Sequence, residues 1–209
     1  MQTQTSGKPR RPDRRRVRHE ATVQEILDEA WSIAREHGVS GLSLRALARA
    51  VGMEPQSLYT YFASKHAVYD RMFADANREL LARFRQLEIP TDPAGALRAT
   101  ARLFMDFCTE DPARYQLLFT RAIPGFEPSP ETYAVAVEVV EMGRSVLAGA
   151  GLRRDADFDL WTALIAGLAS QQLANDPGGD RYTQLIDDAV TMFTAHALAR
   201  KAEAAPGNS

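Results

Sequence analysis

Residues 42–65 read Leu-Ser-Leu-Arg-Ala-Leu-Ala-Arg-Ala-Val-Gly-Met-Glu-Pro-Gln-Ser-Leu-Tyr-Thr-Tyr-Phe-Ala-Ser-Lys. Leu44, Leu47, Ala48 and Val51 step by three and four, the spacing of one helix face. Ser43 stands where a hydroxyl can cap that helix, and Gly52 interrupts it. Glu54-Pro55 opens a second short helix, because proline lacks only an N–H that the first turn leaves unpaired anyway. The spacing predicts that this helix runs to about Tyr61. Two short helices around a glycine turn are the pattern of a helix-turn-helix. Leu58 and Phe62 fall on its inner side, leaving Gln56, Ser57, Tyr59, Thr60 and Tyr61 free. Amides and hydroxyls on such a face suit the edges of bases in a major groove. Similar pairs also occur in helical bundles that touch no nucleic acid, so spacing alone leaves both readings open.

Upstream, Val23, Ile26, Leu27, Ala30, Ile33, Ala34 and His37 mark a longer helix that Gly38 can stop. Before it, residues 1–16 hold Lys8, Arg10, Arg11, Arg14, Arg15 and Arg16 with no apolar period, and read as a disordered basic tail. Such a tail either solubilises or neutralises phosphates. Downstream, Ser64 caps a helix with the stripe Tyr69, Met72, Phe73, Ala76, Leu80 and Phe84. Further helical segments follow, separated by Pro90 and Pro93, by Asp111-Pro112, by the irregular residues 123–130, by Gly149-Ala150-Gly151 and by Asp176-Pro177-Gly178-Gly179. No strand run and no repeat stands out. The expected fold is all-α with about nine helices. The expected division is a helix-turn-helix domain over 17–65, a helical domain over 66–204 and a disordered end over 205–209.

The chain has 209 residues, 45% of them hydrophobic and 25% charged, which fits one full globular domain or a small one fused to a larger one. The net charge of −2 conceals an asymmetry. Residues 1–65 carry eleven Lys/Arg against seven Asp/Glu, and residues 66–209 carry fourteen against twenty. A basic front end on an acidic body points to a polyanion partner for one end only. A single cysteine excludes a scaffold stapled by internal disulfides. No secretory signal pattern and no apolar run of membrane-spanning length is evident, so the expectation is a cytoplasmic protein with no membrane partner. His19, His37, His66 and His196 share no ligand spacing, and no glycine-rich phosphate loop appears, so neither metal nor cofactor is expected.

The string Leu44-Arg45-Ala46-Leu47-Ala48, Gly52-Met53, Ser57-Leu58-Tyr59-Thr60-Tyr61-Phe62 and Ser64-Lys65 resembles the tetracycline-repressor (TetR) family of transcriptional regulators over about residues 20–70. The resemblance implies that Arg45, Gln56 and Thr60 touch bases, that Ser57, Tyr59, Tyr61 and Lys65 hold phosphates, and that Pro55 lies near the groove floor. Thr60 is small where some relatives carry a large aromatic, so an operator sequence does not transfer. It also favours the phosphate-neutralising reading of the basic tail.

Family membership further implies a C-terminal domain that dimerises and holds a small-molecule effector. Leu160 to Ala169 is apolar nearly all round, as for a helix covered on more than one face, and the last helix offers Leu185, Ile186, Ala189, Val190, Phe193 and Ala197. These two helices fit a homodimer interface or the core of a monomer, and the dimer is favoured because two half-sites need two readers. Candidate effector contacts are Phe104, Phe107, Cys108 and Tyr115, with Phe119, Trp161 and Ile165. Leu118 and Phe126 are further candidates, and the proline-rich stretch around Phe126 is long enough to act as a gate. Cys108 lies on an apolar stripe and reads as an inert buried thiol. The expected function is a non-enzymatic, ligand-responsive regulator, a repressor that binds palindromic double-stranded DNA as a homodimer. The alternative is a helical small-molecule-binding protein or enzyme whose helix-turn-helix is merely structural.

Overall fold

The computed structural model describes residues 14–204. Among these residues are nine α-helices, two short 3₁₀ turns and no strand. Helix α1 (Arg14–His37) buries Val23, Ile26, Leu27, Ala30, Trp31 and Ala34, the face that the sequence spacing predicts. It begins within the expected tail: Arg14, Arg15 and Arg16 are helical, because arginine is a good helix former and no breaker lies between them and the apolar face. The rest of that tail, and the end expected over 205–209, lie outside the described residues.

A 3₁₀ turn over Val39–Gly41 leads to α2 (Leu44–Ala50), where the Ser43 hydroxyl accepts a hydrogen bond from the Ala46 N–H at 3.1 Å. The exit from α2 is built on Gly52. The Met53 N–H donates to the Ala48 carbonyl at 2.8 Å and the Gly52 N–H to the Arg49 carbonyl at 3.2 Å. This paired closure needs a left-handed residue, and Gly52 supplies it at φ 67°. Helix α3 is shorter than expected, covering Pro55–Leu58. Beyond it the Thr60 and Tyr61 amides bond three residues back, to Ser57 and Leu58. Aromatic and β-branched residues in sequence form poor α-helix, so the chain tightens into a turn there.

Helix α4 (Lys65–Gln86) is capped by Ser64 and runs through the length of the molecule's packing. It is followed by α5 (Pro93–Glu110), α6 (Pro112–Phe119), α7 (Pro130–Gly149), α8 (Asp155–Asn175) and α9 (Ile186–Ala204). Two cores result. The first joins α1, α2 and α3 with Val68 to Ala76 of α4, and takes in Ala113 and Leu117 of α6. The second joins Leu80 and Phe84 of α4 to α5, α7, α8 and α9. The expected boundary at 65/66 therefore falls at the start of a helix shared by both cores. The first core also contains a buried hydrogen bond, from the Tyr69 hydroxyl to the Val39 carbonyl at 2.5 Å.

Candidate DNA-reading face and the cavity behind it

The helix-turn-helix presents its polar side outward. Pro55, Gln56 and Ser57 on α3 are exposed, as are Thr60 in the turn and Arg45 on the first turn of α2. Tyr59 keeps 55% of its surface in solvent while its neighbour Leu58 keeps 1%, which fixes the rotation of the segment about its axis. From Gly38 to Lys65 the chain holds Arg45, Arg49 and Lys65 against Glu54 alone, so this side is cationic. Two of the expected contact residues are less free than the sequence implies. Tyr61 is half-buried, its ring stacked on His19 of α1 with centroids 5.0 Å apart. Lys65 is half-buried too, its ammonium 5.5 Å from the centre of the Tyr69 ring. Both are thus held in position from behind, Tyr61 by α1 and Lys65 by the first core.

His19 is the residue that sequence spacing misses, since it precedes the apolar stripe of α1 by a full turn. Its neighbour Glu20 is ion-paired with Arg71 of α4 at 2.5 Å, so the start of α1 is tied to α4 beside the stack. The Arg71 guanidinium, by hydrogen bond and by charge, holds the Glu20 carboxyl below its usual range.

Behind the reading face, α6 touches α1, α4, α5 and the 3₁₀ turn. Asp111 caps it, accepting from the Ala113 N–H at 3.1 Å, and is nearly fully buried. The same carboxylate receives the Arg35 Nε at 3.0 Å from α1 and the Arg114 Nε at 3.3 Å. Arg114 continues to Glu79 at 2.8 Å, Glu79 to Arg83 at 2.7 Å, and Arg83 to Glu110 at 2.7 Å. The guanidinium groups of Arg83 and Arg114 lie 5.4 and 5.7 Å from the centre of the Phe107 ring. The ladder links α1 to the end of α5.

The far end of α6 reaches a cavity of about 180 Å³ enclosed with α4, α5, α7 and α8. Of the expected effector contacts, Phe104, Phe119, Trp161 and Ile165 line it. Phe107 and Cys108 do not: both are fully buried in the second core, and burial pushes the Cys108 thiol up, away from the reactive thiolate. Tyr115 packs on the Phe119 ring at 5.9 Å without lining the cavity. Phe126 belongs to the first core, 5.7 Å from the Tyr69 ring. The proline-rich stretch is fastened rather than gating: the Ser129 N–H and Oγ donate to the Asp70 carboxylate at 2.6 and 2.9 Å. Sequence reasoning missed the wall formed by Val139, Gly143 and Phe158. Gly143 makes that wall possible, since a Cβ there would stand 3.1 Å from the Phe158 ring. Among the described residues no group of His, Cys, Asp and Glu is arranged to hold a metal ion, and no helix is long and apolar enough to cross a membrane.

A helix-turn-helix head with an outward polar face, packed through a shared helix on an all-α body with an apolar cavity, defines the class of two-domain helical regulatory proteins. Residues 26–72 match the family model of bacterial regulatory proteins of the tetR family, and residues 97–200 match the tetracyclin repressor-like C-terminal domain. The chain belongs to the TetR family. It is 31% identical over 134 residues to the HTH-type transcriptional regulator Rv1816 of Mycobacterium tuberculosis, a match covering 62% of this chain and 57% of that relative's length. It is 26% identical over 211 residues to the HTH-type transcriptional repressor Rv1353c of the same organism, covering 96% of this chain and 77% of the relative. The transcriptional regulator FadR of Bacillus subtilis, solved with stearoyl-CoA, shares the fold at a TM-score of 0.66 and 13% identity, over 81% of this chain and 96% of that one.

Proposed function

We propose that the protein is a transcriptional repressor that binds a two-fold symmetric operator as a homodimer and leaves it when a small molecule occupies the cavity. The observation that carries this reading is the double membership of α6. Its first turns, through Ala113 and Leu117, are part of the DNA-binding core, and its last residue, Phe119, lines the cavity. A ligand that displaces Phe119 acts on α6 and, through Asp111 and Arg35, on α1. The ligand's leverage equals its differential affinity for the two positions of that helix. Gln56, Thr60 and Arg45 are the base-reading residues in this account, Pro55 lies at the groove floor, and Ser57, Tyr59, Tyr61 and Lys65 hold phosphates.

The dimer reading is supported by α8 and α9. Leu160, Ala163 and Gly167 lie along one exposed face of α8, and Met192 of α9 and Leu185 in the 3₁₀ turn before it are exposed as well. Met192 leaves 65% of its surface in solvent. Gly167 sits in mid-helix, where glycine costs about 1 kcal/mol relative to alanine, yet no atom lies within 4 Å of where its Cβ would be. Nothing among the described residues requires it; a closely packed second copy would. The test is selection of bound sites from a random duplex pool at physiological salt, with sedimentation of the free protein. A symmetric consensus and a dimer support the proposal. A monomer that enriches no sequence overturns it.

A further inference from the structure

We infer that the effector is a small uncharged hydrocarbon-like molecule of about one ring, and not an anion such as an acyl-CoA thioester; this rests on reading the cavity as the effector site. The cavity wall contains no Lys, Arg, His, Asp or Glu. Its polar side-chain groups are the Trp161 indole N–H and the hydroxyls of Thr100 and Thr162, each of which has a single proton to give. Thr100 Oγ1 donates within its own helix, 3.0 Å from the Ala96 carbonyl and 3.1 Å from that of Leu97. Thr162 Oγ1 does the same, 2.9 Å from the Phe158 carbonyl and 3.1 Å from that of Asp159. The two hydroxyls leave only lone pairs for a ligand, so the Trp161 indole N–H is the one side-chain donor among the lining residues, and it carries no charge. A carboxylate or phosphate placed here would lose its hydration and find one neutral donor and no counter-charge, a costly form of burial.

Nearby cations do not repair this. Arg144 stacks on Phe158 at 4.5 Å but is paired with Asp155, and Arg83 and Arg114 are committed to the carboxylate ladder beneath Phe107. Size points the same way. At about 180 Å³ the space is close to the roughly 150 Å³ apolar cavity that takes up benzene, and far from a stearoyl chain with its nucleotide head. The way in is also apolar: Phe119 and Val140 keep 40% and 39% of their surface exposed at the rim.

Toluene and benzoate share a ring and differ in charge, which makes them the discriminating pair. The full chain is titrated with each, following thermal unfolding and the fluorescence anisotropy of a labelled duplex from the selected pool. The expected result is that toluene raises Tm and releases DNA, while benzoate binds at least ~100-fold more weakly. Ala166→Leu, which fills the cavity, should abolish the toluene response. Thr162→Leu at the exposed rim is the second filler should the first variant melt early. Benzoate or stearoyl-CoA releasing DNA from the wild type but not from the fillers overturns the chemical class and leaves the effector-site reading standing. Toluene raising Tm without any change in DNA affinity overturns the effector-site reading itself. A toluene response intact in both fillers overturns the cavity as the binding site.

Discussion

The two cores of this molecule are built by different means. The first is closed and largely local: α1, α2, α3 and the start of α4 are consecutive, and Ile26, Leu27, Leu47 and Leu58 have lost essentially all contact with water. The second draws α4, α5, α7, α8 and α9 from well-separated parts of the chain and closes around an unfilled space. In the proposed function, a head that holds Gln56 and Thr60 in fixed register benefits from rigidity. A body that responds to a ligand, as proposed, benefits from room, and α6 packs in both regions.

Truncation should separate the two regions most clearly. Leu47→Ala opens a void in a filled core and should cost about 3 kcal/mol by urea unfolding. Phe119→Ala, whose ring is 40% exposed and already faces empty space, should cost about 1 kcal/mol. Equal costs would mean that the second core is as tightly packed as the first. The next largest effect belongs to the reading face. Gln56→Ala should lower affinity by about 1–3 kcal/mol at one base pair of the selected site, whereas Lys65→Ala should weaken all sequences alike and flatten the salt dependence by about one counterion. Equal loss of specificity from both would contradict that division. At the junction, Arg35→Ala should cost only about 1 kcal/mol in stability, because Arg35 is half-exposed and Asp111 keeps Arg114 and its capping amides. The same variant should reduce ligand-induced DNA release several-fold, read by anisotropy; an unaltered response would remove Arg35–Asp111 from the coupling.

The same contrast decides what was legible in the sequence. Helix-turn-helix geometry is set by neighbours in the chain, so Ser43, Gly52, Leu58 and Phe62 could be assigned from spacing and turn chemistry alone. The all-α fold and most of its helices follow from the same periodicity. The cavity could not be assigned in this way. Phe104 and Phe107 lie three residues apart on one stripe, yet one faces the space and the other is sealed under two arginines. That choice is made by where α4 and α6 place Arg83, Arg114 and Phe119, which the spacing along α5 does not reveal. His19 and Asp157 escaped for a similar reason. His19 acquires its role only when α1 crosses the end of α3 to meet Tyr61. Asp157, in the first turn of α8, is buried against Arg200 of α9 at 2.5 Å.

The smallest expected effect tests how firmly α1 is held beside the reading face. Arg71 lowers the Glu20 pKa from about 4.5, so the pair contributes stability that is fully present above the ordinary glutamate range and is lost as pH falls through the lowered value. Glu20→Gln should therefore be slightly less stable than the wild type at neutral pH, and the two should converge in acid. Urea midpoints measured from about pH 7 to pH 3 give the sign directly. The pair is solvent-accessible, and added salt should shrink the difference further. Because His19 precedes Glu20 and stacks on Tyr61, the variant should also bind DNA a little more weakly at every sequence above that pH range, with no change in base preference. Midpoints that run parallel over the whole range would mean that the Glu20–Arg71 pair does not fasten α1. The position of Tyr61 would then rest on the His19 ring alone.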